Sequence, residues 1–129
     1  MRLLLDTHAF LWFVLNDSSL SGSARAMIAD PNNEVLLSPA SYWEIAIKVS
    51  IGKYLLPARD FGDFMERQIT ANNFQVLPIS VRHAALVSTL PFHHRDPFDR
   101  LLIAQAMVEA IPILSVDTAF DAYPVTRLW

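Results

Sequence analysis

The sequence predicts an α/β fold in which a parallel sheet of four to five strands is covered by helices on both faces. Three observations carry the prediction. Short runs that are apolar on both faces recur along the chain, as strands buried from both sides require. Longer helical patterns separate them, and strand and helix in alternation imply parallel pairing through helical crossovers. Cap and turn residues bound the segments, with no repeat, linker or low-complexity stretch, so the 129 residues form one domain, residues 1–129.

The first strand is the LLL run at residues 3–5, and a helix comes next over residues 9–15. Ser23 opens the pattern of a second helix over residues 23–29, and Asn32 with Asn33 marks a turn into the VLL strand at residues 35–37. Ser38-Pro39 is a cap followed by proline at the first helical position, which predicts a helix over residues 39–51 closed by Gly52. A helix over residues 61–71 leads to the QVLPI strand at residues 75–79, and a further helix covers residues 81–90. Asp96-Pro97 repeats the cap-then-proline signal and starts a helix over residues 97–110. PILSV at residues 112–116 is the fourth strand, and VTRLW at residues 125–129 is a candidate fifth.

A chain of this length buries roughly two thirds of its unfolded surface, enough for a core without staples. It has no cysteine, which excludes disulfides and thiolate metal sites and fits a reducing compartment. The N-terminus carries one Arg and then Asp6, with no small-residue cleavage site, and no apolar run reaches the roughly 18 residues of a membrane span, so a cytoplasmic protein without a membrane partner is expected. Hydrophobic residues make up 53% of the chain and mean hydropathy is +0.29, a composition that predicts some apolar surface given to a partner. The formal charge of −3 is opposite to the basic footprint of a nucleic-acid binder.

Four acids stand where a parallel sheet presents its ligand-binding edge, at the carboxyl ends of strands. Asp6 directly follows the first apolar run, and Asp117 follows ILSV. Glu44 lies early in the helix after VLLS, and Asp99 lies in the first turn of the helix capped by Asp96. Two readings stand for each. Asp6 and Asp117 are good caps for the helices after them, Glu44 is spaced for an ion pair with Lys48 or a capping box with Ser41, and Asp99 complements a helix dipole. On a helical wheel, however, Leu102, Ile103, Ala106, Met107 and Ala110 lie within about 80° of Asp99, with Gln105 and Glu109 on a different, wetter face. An acid on the packed side is desolvated without compensation unless a cation meets it.

Taken together, carboxylates crowded at one crevice repel one another, and the cluster makes sense chiefly around a divalent cation. Oxygen donors without Cys suit Mg²⁺ or Mn²⁺ rather than zinc. Such ions activate water and clamp the oxygens of a phosphodiester in line. A phosphoacceptor receiver domain would need paired acids after its first strand, where Asp6 stands alone, and a Lys where Asp117 stands. A phosphatase of the haloacid-dehalogenase type would need an acid where His8 stands.

LLLDTHAFLW, SPASYWEIAIKVSIGK, HHRDPFDRLLIAQA and ILSVDTAFDAYPVTRLW, in this order and covering essentially the whole chain, resemble the PIN-domain family, and within it the VapC-like toxins of bacterial toxin-antitoxin pairs. The resemblance implies a three-layer α/β/α fold and a Mg²⁺- or Mn²⁺-dependent endoribonuclease held inactive by an antitoxin. By position, Asp6, Glu44, Asp99 and Asp117 match the family's acidic quartet, Thr7 and Ser115 match flanking hydroxyl residues, and Asp96 is a supporting candidate. The HHR triplet before Asp96 departs from the family's simplest pattern and leaves the roles of His93 and His94 open.

Setting aside the four site acids moves the formal charge from −3 to +1, which answers the charge objection. Lys48, Lys53, His93, His94, Arg95 and Arg100 are then the candidate RNA contacts. Partners implied are an antitoxin segment and a second copy of the chain, in a homodimer or a larger assembly, with Trp12 and Trp43 as candidate anchors. The alternative function is a non-catalytic binding or assembly module on the same fold.

Overall fold

A computed structural model of the chain describes residues 1–56 and 60–129. Five strands, β1 (Arg2–Leu5), β2 (Glu34–Leu37), β3 (Gln75–Val76), β4 (Ile113–Leu114) and β5 (Arg127–Leu128), form one sheet in the order β3-β2-β1-β4-β5. Every pairing is parallel, with Leu3 opposite Val35 and Leu4 opposite Ile113. The central runs are apolar on both faces because both faces are covered. Leu3 and Leu5, with Val35 and Leu37, pack toward Phe10, Phe64 and their neighbours, whereas Leu4, Leu36 and Ile113 pack toward Leu102, Ile103 and Phe120. A one-residue change of register would exchange these two cores. The edge strands are two residues long: Pro78 has no N–H with which to extend β3 into the expected 75–79 segment.

The helices are α1 (Thr7–Val14), α2 (Gly22–Ala29), α3 (Pro39–Ser50), α4 (Phe61–Ala71), α5 (Val81–Val87) and α6 (Pro97–Glu109). Asp6, Ser21, Ser38, Asp60, Ser80 and Asp96 each cap one of them by accepting first-turn N–H groups. Gly52, at φ 75°, sits just beyond α3 as expected. Helix α5 ends three residues before Leu90; there the Ser88 and Thr89 hydroxyls bond to the carbonyls of Ala85 and Leu86. A 3₁₀ turn over Thr118–Ala122, capped by Asp117, was not expected.

The wheel for α6 needs two corrections, the first being that Ala110, placed on the packed side, is exposed at the left-handed cap beyond the helix. Leu102, Ile103 and Ala106 are buried as expected, but Gln105 is also fully buried and donates to the Leu77 carbonyl at 3.1 Å. Glu109 meets His83 of α5 at 3.2 Å. Helix α5 and the chain leaving β3 cover the side that the wheel assigned to water.

From β1 the chain adds β2 and β3 on one side, then crosses to place β4 and β5 on the other. Strand order therefore reverses between β1 and β4, which opens a crevice at their carboxyl ends. Asp6 and Asp117 flank it.

Candidate active site

Asp6 leaves β1 and turns its carboxylate back over α1, accepting the Ala9 N–H at 2.7 Å while only 4% exposed. Burial raises its pKa above the ordinary carboxylate value; a hydrogen bond from the Ser115 hydroxyl and the Ala9 N–H oppose the rise, and the charge of Asp117 adds to it. Ser115 is fully buried, and its oxygen accepts the Asp117 N–H at 3.0 Å. Asp117 itself accepts the Ala119 N–H at 2.9 Å. Ser115 therefore links the two acids that flank the crevice.

Glu44 enters from α3 and is 4% exposed. Both of its oxygens are engaged: the Thr7 hydroxyl lies 2.7 Å from Oε1 and the Lys48 ammonium 2.7 Å from Oε2. Burial works against the Lys48 charge, but Glu44 outweighs it and the Lys48 pKa is raised. The ion-pair reading of Glu44 thus holds in part; the capping-box reading does not, since Ser38 is the cap and the Ser41 hydroxyl lies 3.0 Å from Thr7.

From α6, Asp96 caps the helix by accepting the N–H groups of Phe98 and Asp99 at 2.8 and 3.0 Å. Asp99 faces inward, and its pKa is pushed up to about 7, first by burial and then by the negative charge of Asp96; Asp6 and Glu44 add to the rise, and His94 opposes it. Asp99 therefore senses Asp6 and Glu44, and Asp6 senses Asp117. Asp6, Asp96 and Asp117 are caps; of the four acids, Asp99 and Asp117 are brought together, while Asp6 and Glu44 come from β1 and α3 and act on Asp99 through their charge. The two readings of these acids are not exclusive.

A family model for the PIN domain matches residues 3–125. The chain belongs to the PIN domain family. Among curated proteins, none matches it in sequence. Solved structures share the PIN domain's fold at low identity. A chain of VapBC2 from Rickettsia felis, bound to a DNA fragment from its promoter, aligns with a TM-score of 0.72 and 14% identity over 99% of this chain and 98% of that one. FitAcB from Neisseria gonorrhoeae gives 0.66 and 19%, over 98% and 96%. VapBC-1 from nontypeable Haemophilus influenzae gives 0.64 and 15%, over 99% and 97%.

In this PIN domain the histidine pair divides. His94 turns its Nε2 between two acids, 3.1 Å from Asp99 Oδ2 and 3.0 Å from Asp117 Oδ2. His93 is exposed and lays its ring against Tyr123, 5.3 Å away. The place of His94 was not legible from sequence; the only signal was the HHR triplet itself. One atom each from His94, Asp99 and Asp117 lie within 4.8 Å of one another, two carboxylate oxygens and one imidazole nitrogen, a set that fits a divalent cation such as Mn²⁺.

The expected RNA contacts also separate. Arg100 is 4% exposed and spends its guanidinium on the backbone carbonyls of Pro91, His94, Val87 and Leu90. Phosphate contact is thereby corrected to a structural role for Arg100. Lys48 is engaged by Glu44. Lys53 and Arg95 are exposed, and neither has an ion-pair partner among the described residues. No helix among the described residues is long and apolar enough to cross a membrane.

Proposed function

We propose that this PIN domain is a divalent-metal-dependent endoribonuclease, the toxin of a toxin-antitoxin pair, that hydrolyses RNA phosphodiesters in the cytoplasm. The observation that carries the reading is the cluster of Asp99, Asp117 and His94, whose ligand atoms lie within 4.8 Å of one another, with the half-buried Asp99 pushed up to about 7 by burial and then by the charge of Asp96. Clustered acids at such cost call for a cation. Asp6, Glu44, Asp99 and Asp117 would hold Mg²⁺ or Mn²⁺. Thr7 steadies Glu44, Ser115 joins Asp6 to Asp117, and Asp96 fixes the helix start beneath Asp99. An ion held there would supply positive charge to phosphodiester oxygens and would make a bound water a better nucleophile near neutral pH. Lys53, Arg95 and His93 are the exposed groups available to RNA, with Lys48 and His94 nearer the acids.

The antitoxin and homodimer belong to the same proposal. Trp43 and Ile47 of α3 and its cap residue Ile51 are exposed apolar side chains at 64, 37 and 70% exposure, which supports a protein partner. Trp12 lines a cavity of about 390 Å³ with Leu11, Leu15, Tyr54 and Leu55, large enough for apolar side chains of an antitoxin segment. A non-catalytic assembly module is the second reading, favoured by the Lys48–Glu44 ion pair and by the caps that account for Asp6, Asp96 and Asp117 singly.

Purified protein should cleave single-stranded RNA with Mn²⁺ or Mg²⁺ and stop when the metal is chelated. Asp99→Asn and Asp6→Asn should each lower the rate at least about 100-fold, the upper end of what even supporting groups at a metal site cost. Cleavage by both variants at the wild-type rate would leave the assembly module as the better reading.

A further inference from the structure

We infer that Phe92 is a stacking platform for one unpaired RNA base beside the acidic crevice, with Arg95 holding a phosphate of the same strand. The inference rests on the ribonuclease reading above and adds to it the way the strand is held.

The loop between α5 and α6 is pinned on both sides of Phe92. The Pro91 carbonyl accepts from Arg100 Nη1 at 2.9 Å and from the Tyr123 hydroxyl at 2.6 Å. Further along, the His94 N–H donates to that hydroxyl at 2.8 Å, and the His94 carbonyl accepts from Arg100 at 3.3 Å. Yet Phe92 is 79% exposed. Its ring lies with the Arg100 guanidinium over one face, 4.1 Å from the centroid, and Arg100 is itself buried. One face of the ring is therefore seated on a fixed cation, and the other is open to water. A ring presented in this way loses little freedom when a ligand settles on it.

A nucleobase suits this face better than a protein does. Bases stack on aromatic side chains whatever their sequence, because every base has a π-face. The guanidinium draws on the electron density of the ring, which lessens the repulsion toward a second π-face laid flat upon it. The exposed neighbours of Phe92 in the loop include the His93 imidazole and the Arg95 cation, unlike the contiguous apolar patch that marks a protein interface. Arg95 has no ion-pair partner among the described residues and is free to meet a phosphate. The same loop leads into the acids: His94 follows Phe92 by two residues, a backbone reach of roughly 7 Å, and its Nε2 lies 3.0 Å from Asp117 Oδ2. A base on Phe92 thus brings the next phosphates of its strand toward the crevice.

Fluorescence anisotropy of a fluorescein-labelled, purine-rich, single-stranded oligoribonucleotide reads binding to the full chain without any need for cleavage, once with metal chelated and once with Ca²⁺. Phe92→Leu, which keeps an apolar cover over Arg100, should weaken binding at least about fivefold, whereas Phe92→Trp should stay within about twofold of wild type. An oligomer of the same length with abasic riboses should bind wild type and Phe92→Leu alike. Arg95→Gln should lower the slope of log affinity against log salt, as the loss of a phosphate contact does, and Phe92→Leu should leave that slope unchanged. Equal affinity of wild type and Phe92→Leu for the RNA overturns the stacking role. A loss that Phe92→Trp shares, or that the abasic oligomer shows equally, also overturns it, because it comes from the shape of the loop and not from a ring against a base. An unchanged slope in Arg95→Gln removes the phosphate contact. If Phe92→Leu keeps its RNA affinity but shifts the sedimentation coefficient, the ring faces a second copy of the chain and the inference is wrong. A wild-type protein that binds the RNA in neither condition rejects the ribonuclease reading itself, a result distinct from any difference between variants.

Discussion

Lys48 Nζ lies 2.7 Å from Oε2 of Glu44, one helical turn away on α3, so one acid of the quartet already has a cation of the protein's own. The Thr7 hydroxyl takes the other oxygen. Glu44 is 6% exposed at its side chain and Lys48 22%, so the pair is worth more than a surface ion pair. Lys48→Met should leave a buried carboxylate without its counter-ion and lower the stability of the metal-free protein by roughly 1–3 kcal/mol in urea titration. Added Mn²⁺ should then stabilise the variant more than it stabilises wild type, because the ion takes over the lone charge. Equal stability of the two metal-free proteins would mean that Thr7 alone suffices for Glu44.

Asp99 makes the metal-free protein pH-dependent in a defined direction. Its pKa rises from 3.8 to about 7 on folding, chiefly through burial and the charge of Asp96. Between those values the folded protein holds a proton at Asp99 that the unfolded chain has released, so the contribution of Asp99 to stability is full below about pH 4 and is lost as pH climbs through 7. The buried Asp6, also raised, contributes in the same sense. The stability of metal-free wild type relative to Asp99→Asn should therefore decline across this window by an amount on the order of a few kcal/mol at most. Asp99→Asn should flatten the decline, melt higher than wild type at pH 7 and lose the gain from Mn²⁺. A variant less stable than wild type there would mean that the carboxylate is worth more to the helix start than it costs the site.

The elements whose logic is local were legible in the sequence. Ser38-Pro39 and Asp96-Pro97 mark the starts of α3 and α6, because a cap and a proline act on the residues next to them. Leu3 to Leu5 and Val35 to Leu37 were legible as strands buried from both sides. The acids could be placed because strand ends and helix starts fall at one edge of a parallel sheet. Gln105 was misplaced because a wheel drawn for one helix does not know what packs on it. His94 and Arg100 were not legible for the same reason at longer range: one depends on Asp117, 23 positions away, and the other on four carbonyls before α6.

Arg100 yields a prediction opposite to that of an RNA contact. Its guanidinium closes the segment between α5 and α6 by donating to four carbonyls, with the Phe92 ring 4.1 Å from the charge. Arg100→Lys keeps the charge but replaces a planar fork with a single ammonium, which cannot meet carbonyls on both sides. A loss of at least ~2 kcal/mol is expected in chemical denaturation, from acceptors left without donors. Arg100→Gln, which removes the charge, should leave the salt dependence of RNA binding as in wild type, whereas loss of a phosphate contact would lower its slope by about one.

The chemistry of cleavage is readable from the ends of the product. Two histidines acting as acid and base would turn the ribose 2′-hydroxyl onto its own phosphate and leave a 2′,3′-cyclic end. His93 is exposed and rests on Tyr123, while His94 offers its Nε2 to Asp99 and Asp117, so the pair is not arranged as two partners across one phosphate. Attack by water at the acidic crevice leaves a 5′-phosphate and a 3′-hydroxyl and needs no 2′-hydroxyl as nucleophile. Products of the wild-type reaction should therefore be ligatable at their 5′ ends without prior phosphorylation. A substrate with a single 2′-deoxyribose at the scissile position should be cut, slowed only as far as recognition uses the missing hydroxyl. His93→Ala should retain cleavage within about tenfold of wild type, since general acid–base groups typically contribute at least 100-fold. Cyclic-phosphate ends together with complete resistance of the deoxy substrate would transfer the reaction from the carboxylates to the histidines.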